Sequence, residues 1–418
     1  MPATIDFIVN QHAELSAQLW LNRRIGVTAP NWSLFQLGRC DERIEANVDG
    51  LRVAGKVGWR ECAKLLDQEE PGGVFVAAIL AIEAKDQALL DRLLRVAEAS
   101  PSAWAELGSA LAWVSGAHLK GTVKSLLDAG SLSVNSLGIT ACVMHRVDPG
   151  AYLDGAINSD LSIRAPALEA IGRFGRRASL NAVLKATAEA DGACRSWGAW
   201  SAVVLGDRAT GLHSLREVCN GPSAFRQTGL AVLLRVLEVG AGRDVLRGIA
   251  QEKPKDPRIL VQGAGMIGDP HFVPWLMEQM EEPSLSRLAG QAFTLVTGAD
   301  LVLLDLERSP PEDVEFGPID NPEDENVSMD PDDGLPWPDP AKVRGWWHGN
   351  QHRFVAGERY FMGQPPNLDY CQRVLRDGCQ PQRIAAALYM ALLRPGTPLF
   401  PTAAPAWRQK RWLAQASA

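Results

Sequence analysis

The chain has 418 residues, beyond the size at which one hydrophobic core keeps growing, so it must be several domains or a stacked array. Its 46% hydrophobic and 22% charged residues are ordinary for a folded protein and exclude a disordered one. The formal charge of −7 is concentrated between Glu312 and Asp339, where eleven carboxylates stand without a Lys or Arg; this leaves the rest mildly basic and gives no reason to expect nucleic acid as a partner.

Seven cysteines are scattered without a CxxC pair, most of them in apolar helical stretches. That argues against a disulfide framework and for a reducing compartment, with the cytoplasm the simplest reading. The first ten residues carry neither the basic nor the long apolar region of a secretory signal, and no run approaches the roughly 18 apolar residues of a membrane span.

In chain order, apolar spacing predicts helices over 5–24, 37–53 and 59–67, which form an N-terminal helical cap (residues 1–72). Longer helices then begin near 73, 102, 132, 162, 192, 223, 256 and 284. Shorter ones lie near 86–97, 118–128, 149–157, 177–189, 209–219, 242–252 and 270–281, giving about seven hairpins. Within the array an arginine early in the first helix is followed by a glycine that closes it: Arg164/Gly175, Arg195/Gly206, Arg226/Gly240, Arg258/Gly268 and Arg287/Gly298. A helix, a glycine turn and a second helix at this period are the signature of an α-solenoid of the HEAT or armadillo type. The fold class is therefore all-α, with a HEAT-like array over 73–308. The glycines are expected to take left-handed positions at helix ends. The arginines read as cross-links to carboxylates or helix-end carbonyls rather than as a ladder for an acidic partner, because a position repeated in every unit serves the stacking common to every unit.

Eight prolines punctuate residues 309–340, which read as an acidic loop carried outside the fold. Its carboxylates cannot enter a core, so they must be solvated or held by a basic surface, either a partner's or the chain's own Arg408, Lys410 and Arg411. The partner reading makes Asp330, Asp332 and Asp333 binding residues. Residues 341–418 read as a C-terminal helical cap, with helices over 341–354, 368–378 and 380–394 and a basic Trp407–Trp412 end. Trp337, Trp346, Trp347, Trp407, Arg408 and Arg411 are the further partner-contact candidates, since Trp and Arg are enriched at hot spots. Trp104, Trp113, Trp197, Trp200 and Trp275 are expected to fill gaps between helices.

Patterns that could carry chemistry are weak. His348 and His352 share a helix face, but no HExxH or third ligand accompanies them. Asp330, Asp332, Asp333 and Gly334 resemble part of a calcium loop, with Pro331 intruding and the twelfth-position Glu missing. Cys142 near His145 lacks an orienting third group. Glycines 263, 265 and 268 resemble a dinucleotide fingerprint but sit on a helix rather than after a strand. No catalytic residue, cofactor or metal is expected.

Two stretches carry a family resemblance: Asp41-Glu42-Arg43-Ile44-Glu45-Ala46-Asn47-Val48-Asp49-Gly50-Leu51-Arg52-Val53-Ala54-Gly55, and Arg383-Ile384-Ala385-Ala386-Ala387-Leu388 running on to Arg394-Pro395-Gly396 and Ala404-Pro405-Ala406-Trp407-Arg408-Gln409. With the repeats between them, the chain resembles an uncharacterised family of bacterial HEAT-repeat proteins encoded beside type VI secretion spike, PAAR-like and adaptor proteins. The resemblance implies a cytoplasmic, non-enzymatic scaffold or adaptor that helps to load a spike or effector. It carries over no catalytic residue. Alternatives are an immunity-type protein that occludes a toxin, using the acidic loop as a plug, and a bilin-lyase-like HEAT-repeat enzyme.

Overall fold

The computed structural model describes residues 5–67, 70–253, 255–312, 314, 317 and 328–415. Among these the regular structure is helical, with isolated β-bridges only. Helices α1 (Asp6–Gly26), α2 (Leu34–Ala54) and α3 (Lys56–Asp67) pack on one another, and α1 and α3 pack on α4 (Pro71–Ala84). The hairpins then follow: α4 with α5 (Gln87–Glu98), α6 (Pro101–Trp113) with α7 (Thr122–Leu127), α8 (Leu132–His145) with α9 (Ala151–Ala156), and α10 (Leu161–Phe174) with α11 (Leu180–Ala186). They continue through α12 (Gly192–Val204) with α13 (Thr210–Val218), α14 (Arg226–Val236) with α15 (Val239–Ala250), and α16 (Pro257–Ile267) with α17 (Val273–Gln279), ending on α18 (Pro283–Thr297). Each first helix packs on the next, from α4 on α6 through to α16 on α18, the order of a stacked helical repeat.

Local chemistry sets the boundaries. Asp86, Asp160, Asp191 and Asp256 accept backbone N–H bonds at the starts of α5, α10, α12 and α16, satisfying donors the helix leaves open. Proline stands in the first turn of α4, α6, α16 and α18, where its missing N–H costs no hydrogen bond. First helices are covered on both sides, so α4 buries Gly72 through Ile79 without a polar face, whereas α5 buries only Leu90, Leu93 and Ala97.

Gly175, Gly206, Gly268 and Gly298 have φ between 69° and 105°, which frees the chain to reverse after α10, α12, α16 and α18. Gly240 departs from the expected pattern. It lies inside α15, and α14 ends instead on extended Leu237.

After the array come α19 (Pro340–Asn350), α20 (Leu368–Asp377), α21 (Gln380–Leu393) and α22 (Ala406–Gln415). Helix α22 has no counterpart among the helices expected from sequence, which end at residue 394. The sequence also reads this region as an end cap, and here the structure differs most: the segment runs back along the array, over the C-terminal ends of the first helices. The Met362 and Gly363 amides donate to Leu295 and Val296, Tyr360 N to Gly268 O at 2.7 Å, and Leu399 N to Arg173 O at 2.8 Å. Arg359 donates to the carbonyls of Leu234, Arg235, Leu237 and Ile267. Arg408 closes α6, donating to Ala112, Trp113 and Val114 at 2.6, 3.1 and 2.8 Å. The physical cause is the set of unpaired carbonyls that every helix leaves at its C-terminus. A ladder of such ends attracts donors, and the C-terminal strap supplies them. The repeat glycines also make room: a Cβ on Gly175 would sit 2.5 Å from the Gly396 carbonyl oxygen, and one on Gly206 would sit 3.0 Å from Pro395.

Candidate partner-binding cleft

The two sequence stretches that carry the family resemblance meet in space. Asp41 of α2, buried, accepts the Ala406 amide at 2.6 Å and pairs with buried Arg23, while Arg23 reaches the carbonyls of Ala403 and Ala404. This seats α22 on α2. Between them, the ends of α4 and α6 and the start of α5 enclose a cleft of about 1080 Å³.

Spacing along α2 places Glu45, Asp49 and Arg52 on one face. Arg52 donates to Glu45 at 2.7 Å, to Asp49 at 2.6 Å, and to both oxygens of Glu83 from α4 at 2.6 and 2.9 Å. Burial works against its charge, but the bonds to Glu83, Asp49 and Glu45 outweigh it and hold the guanidinium above its ordinary pKa. The Trp113 indole donates to the other Glu45 oxygen at 3.1 Å, and His118 Nδ1 lies 3.6 Å from Glu83. Trp113 is buried edge-on against Trp20 and Phe75, and its outer side meets Trp407 at 4.7 Å between centroids. Trp407 remains 41% exposed. Trp59, Leu51, Leu80 and Leu89 complete an apolar wall, with Lys56 and Asp86 among the charged groups lining the cleft.

Of the proposed partner contacts, only Trp407 lines this cleft. Arg408 is buried and consumed by the carbonyls at the end of α6; Arg411 is exposed. Trp337 and Trp347 are buried, and Trp346 is half-buried against Phe293. Sequence reasoning missed Arg52, Glu83, Trp59 and His118, and it treated Trp113 as filler. The i, i+4, i+7 spacing of Glu45, Asp49 and Arg52 was a readable signal; the partnership with Glu83 is tertiary.

Among the described residues, the end of the acidic loop is held by arginines of the array and not by the C-terminal Arg408, Lys410 and Arg411. Asp330 takes Arg287 through two bonds of 2.7 Å, and Asp332 takes Arg258 at 2.5 and 3.0 Å. Arg287 also lies 4.7 Å over the Trp337 ring. Arg308 N donates to Trp337 O and Asp339 N to Leu306 O, so the loop leaves and returns at one point. Asp333 is exposed. Residues 313, 315, 316 and 318–327, with six of the eleven carboxylates, lie outside the described residues. The pairing follows from the repeat. Arg164 meets Glu189 at 2.8 Å and Arg226 meets Glu252 at 2.6 Å, each carboxylate just past the second helix of the same hairpin. At the equivalent place Arg258 meets only the Ser284 carbonyl, so Asp332 supplies the missing charge. Arg195 is exposed.

Burial pushes the Cys142 thiol up to about 11, and burial with the Arg408 charge pushes His145 down to about 4, its Nε2 donating to Leu111 O. His348 and His352 are exposed, Gly263 and Gly265 lie within helix α16, and Asp330 and Asp332 are engaged by guanidinium groups. Among the described residues, no helix is long and apolar enough to cross a membrane. No family model, curated protein or solved structure matches the chain.

Proposed function

We propose that the protein is a non-enzymatic scaffold of HEAT-like type whose docking site for a protein partner is the cleft between α2 and α22. The observation that carries this reading is the exposed Trp407 edge over Trp113 beside the Glu45–Arg52–Glu83 cluster: a rigid aromatic anchor in a concavity rimmed by fixed charge. Carboxylates outnumber cations around it, so the partner segment carries a Lys or Arg next to an apolar residue. The first partners to test are those the sequence resemblance implies: a type VI spike, a PAAR-like protein or an effector. An immunity role through the acidic loop draws less support, since Asp330 and Asp332 are held by the chain's own arginines.

The test is affinity capture with each purified candidate, using the full chain and its Trp407→Ala variant. The reading predicts saturable binding that weakens at least tenfold in the variant at an unchanged Tm. Equal binding by both proteins overturns the cleft as the site.

A further inference from the structure

A second cavity, of about 740 Å³, lies between the inner faces of the first helices and α21. Its wall is largely apolar, drawn from Ile139, Met144, Trp200, Met266, Leu288 and Leu388 among others. One of its charges is out of place. Arg235 lines it, yet is only 8% exposed. Its Nη1 donates to Ala231 O at 2.7 Å within its own helix, its guanidinium lies 5.5 Å from the Tyr389 ring centre, and its Nε has no acceptor.

Four buried arginine Nε atoms lack an acceptor among the described residues. Three belong to Arg164, Arg226 and Arg287, whose other nitrogens hold carboxylates; Arg235 holds none. Two other buried arginines make three hydrogen bonds each without an acid: Arg383 donates to Leu375 O, Gln380 and Gln409, and Arg408 to three carbonyls. Arg359 makes matters worse, because it is itself a cation whose hydrogen bonds go to carbonyls. Burial pushes the Arg235 guanidinium below its ordinary pKa; Tyr389 opposes this and the charge of Arg359 adds to it. The cavity's one carboxylate, Glu169, is engaged by Arg173 at 2.6 Å.

A buried cation without a counter-ion is costly, and an anion that arrives with its own apolar body removes that cost. The volume falls in the range of small-molecule sites. We infer that this cavity binds an amphipathic carboxylate, its head on Arg235 and its hydrocarbon chain along the apolar wall. This site is separate from the α2–α22 cleft and does not rest on the partner reading.

The test uses dodecanoate as probe, with dodecanol and dodecyltrimethylammonium as neutral and cationic counterparts, measured by isothermal titration on the full chain. The inference predicts one dodecanoate per chain, bound at least tenfold tighter than either counterpart. Arg235→Gln should remove that preference while dodecanol binding stays the same, and Arg235→Lys should keep part of it. Ala231→Leu, which narrows the cavity beside Arg235, should weaken binding of all three. The wild-type comparison needs no variant to fold. Absence of saturable dodecanoate binding, or equal affinity for the three probes, overturns the inference.

Discussion

Asp332 grips Arg258, 74 positions earlier in the chain, through both terminal guanidinium nitrogens, Nη1 and Nη2. With the neighbouring Asp330–Arg287 pair it makes the end of the acidic loop a clasp on the last two repeats. Arg287 and Asp332 are buried and Arg258 is one-third exposed, so removing the carboxylate leaves a partly buried cation with only the Ser284 carbonyl. Asp332→Asn should therefore destabilise the fold by about 1–3 kcal/mol, less than for a fully buried pair because solvent reaches Arg258. Urea unfolding measures this; an unchanged midpoint would mean that the clasp is not closed in solution.

Acid should open the same clasp. Burial opposes ionisation of Asp330, but bonds from Arg287 and from the Asp332 amide outweigh it, and its carboxyl stays below the ordinary value. Asp269 behaves alike: burial is outweighed by Arg243 and by the His271 and Gly357 amides, the last of which ties the strap to the array. Because both pKa values are depressed on folding, their stabilisation is complete above the unfolded Asp value of about 3.9 and is lost as pH falls through the folded values. Stability should hold from pH 7 to about pH 5 and decline below about pH 4, less steeply in Asp330→Asn. A midpoint that rises on acidification would contradict this.

The glycines separate two effects. Gly175 has φ of 70° and faces the Gly396 carbonyl, so Gly175→Ala meets both backbone strain and a clash and should cost more than about 1 kcal/mol. Gly240 sits in the first turn of α15 with open space where a Cβ would go, so Gly240→Ala should be neutral or stabilising by up to about 1 kcal/mol. Thermal melts of the two variants should move in opposite directions or leave only the first displaced. Equal destabilisation would remove the strap from the explanation.

The repeat was legible because it is local: apolar period, proline at helix starts and glycine at helix ends fix hairpins without reference to distant residues. The strap was not. Arg408 reads as a surface cation in sequence and Arg359 carries no signal there; only the fold brings the carbonyl ends of α6, α14 and α16 within their reach. The same limit hid the cleft. Glu45, Asp49 and Arg52 share a readable helix face, whereas Glu83 and Trp407 arrive from two other elements. Arg258 and Arg287 were read as cross-links, but their partners come from a loop that composition alone placed outside the fold.

The thiols should be inert. All seven are free, six are buried and Cys379 is partly so. Burial, aided by neighbouring acids in some cases, pushes Cys62, Cys194, Cys219 and Cys371 up to about 12 and Cys142 to about 11. At pH 8 the native protein should release at most one equivalent from Ellman's reagent within minutes, and the remainder only after unfolding. Rapid reaction of several thiols would show that the array opens readily.

The most direct measurement of the partner site is photo-cross-linking from His118, which lines the cleft and is half-exposed, compared with exposed Leu303 beyond the last repeat. With p-benzoylphenylalanine at either position and the partner identified by capture, the account predicts adducts from position 118, absent in the Trp407→Ala background, and none from position 303. Adducts from 303 alone, or from 118 regardless of Trp407, would contradict it.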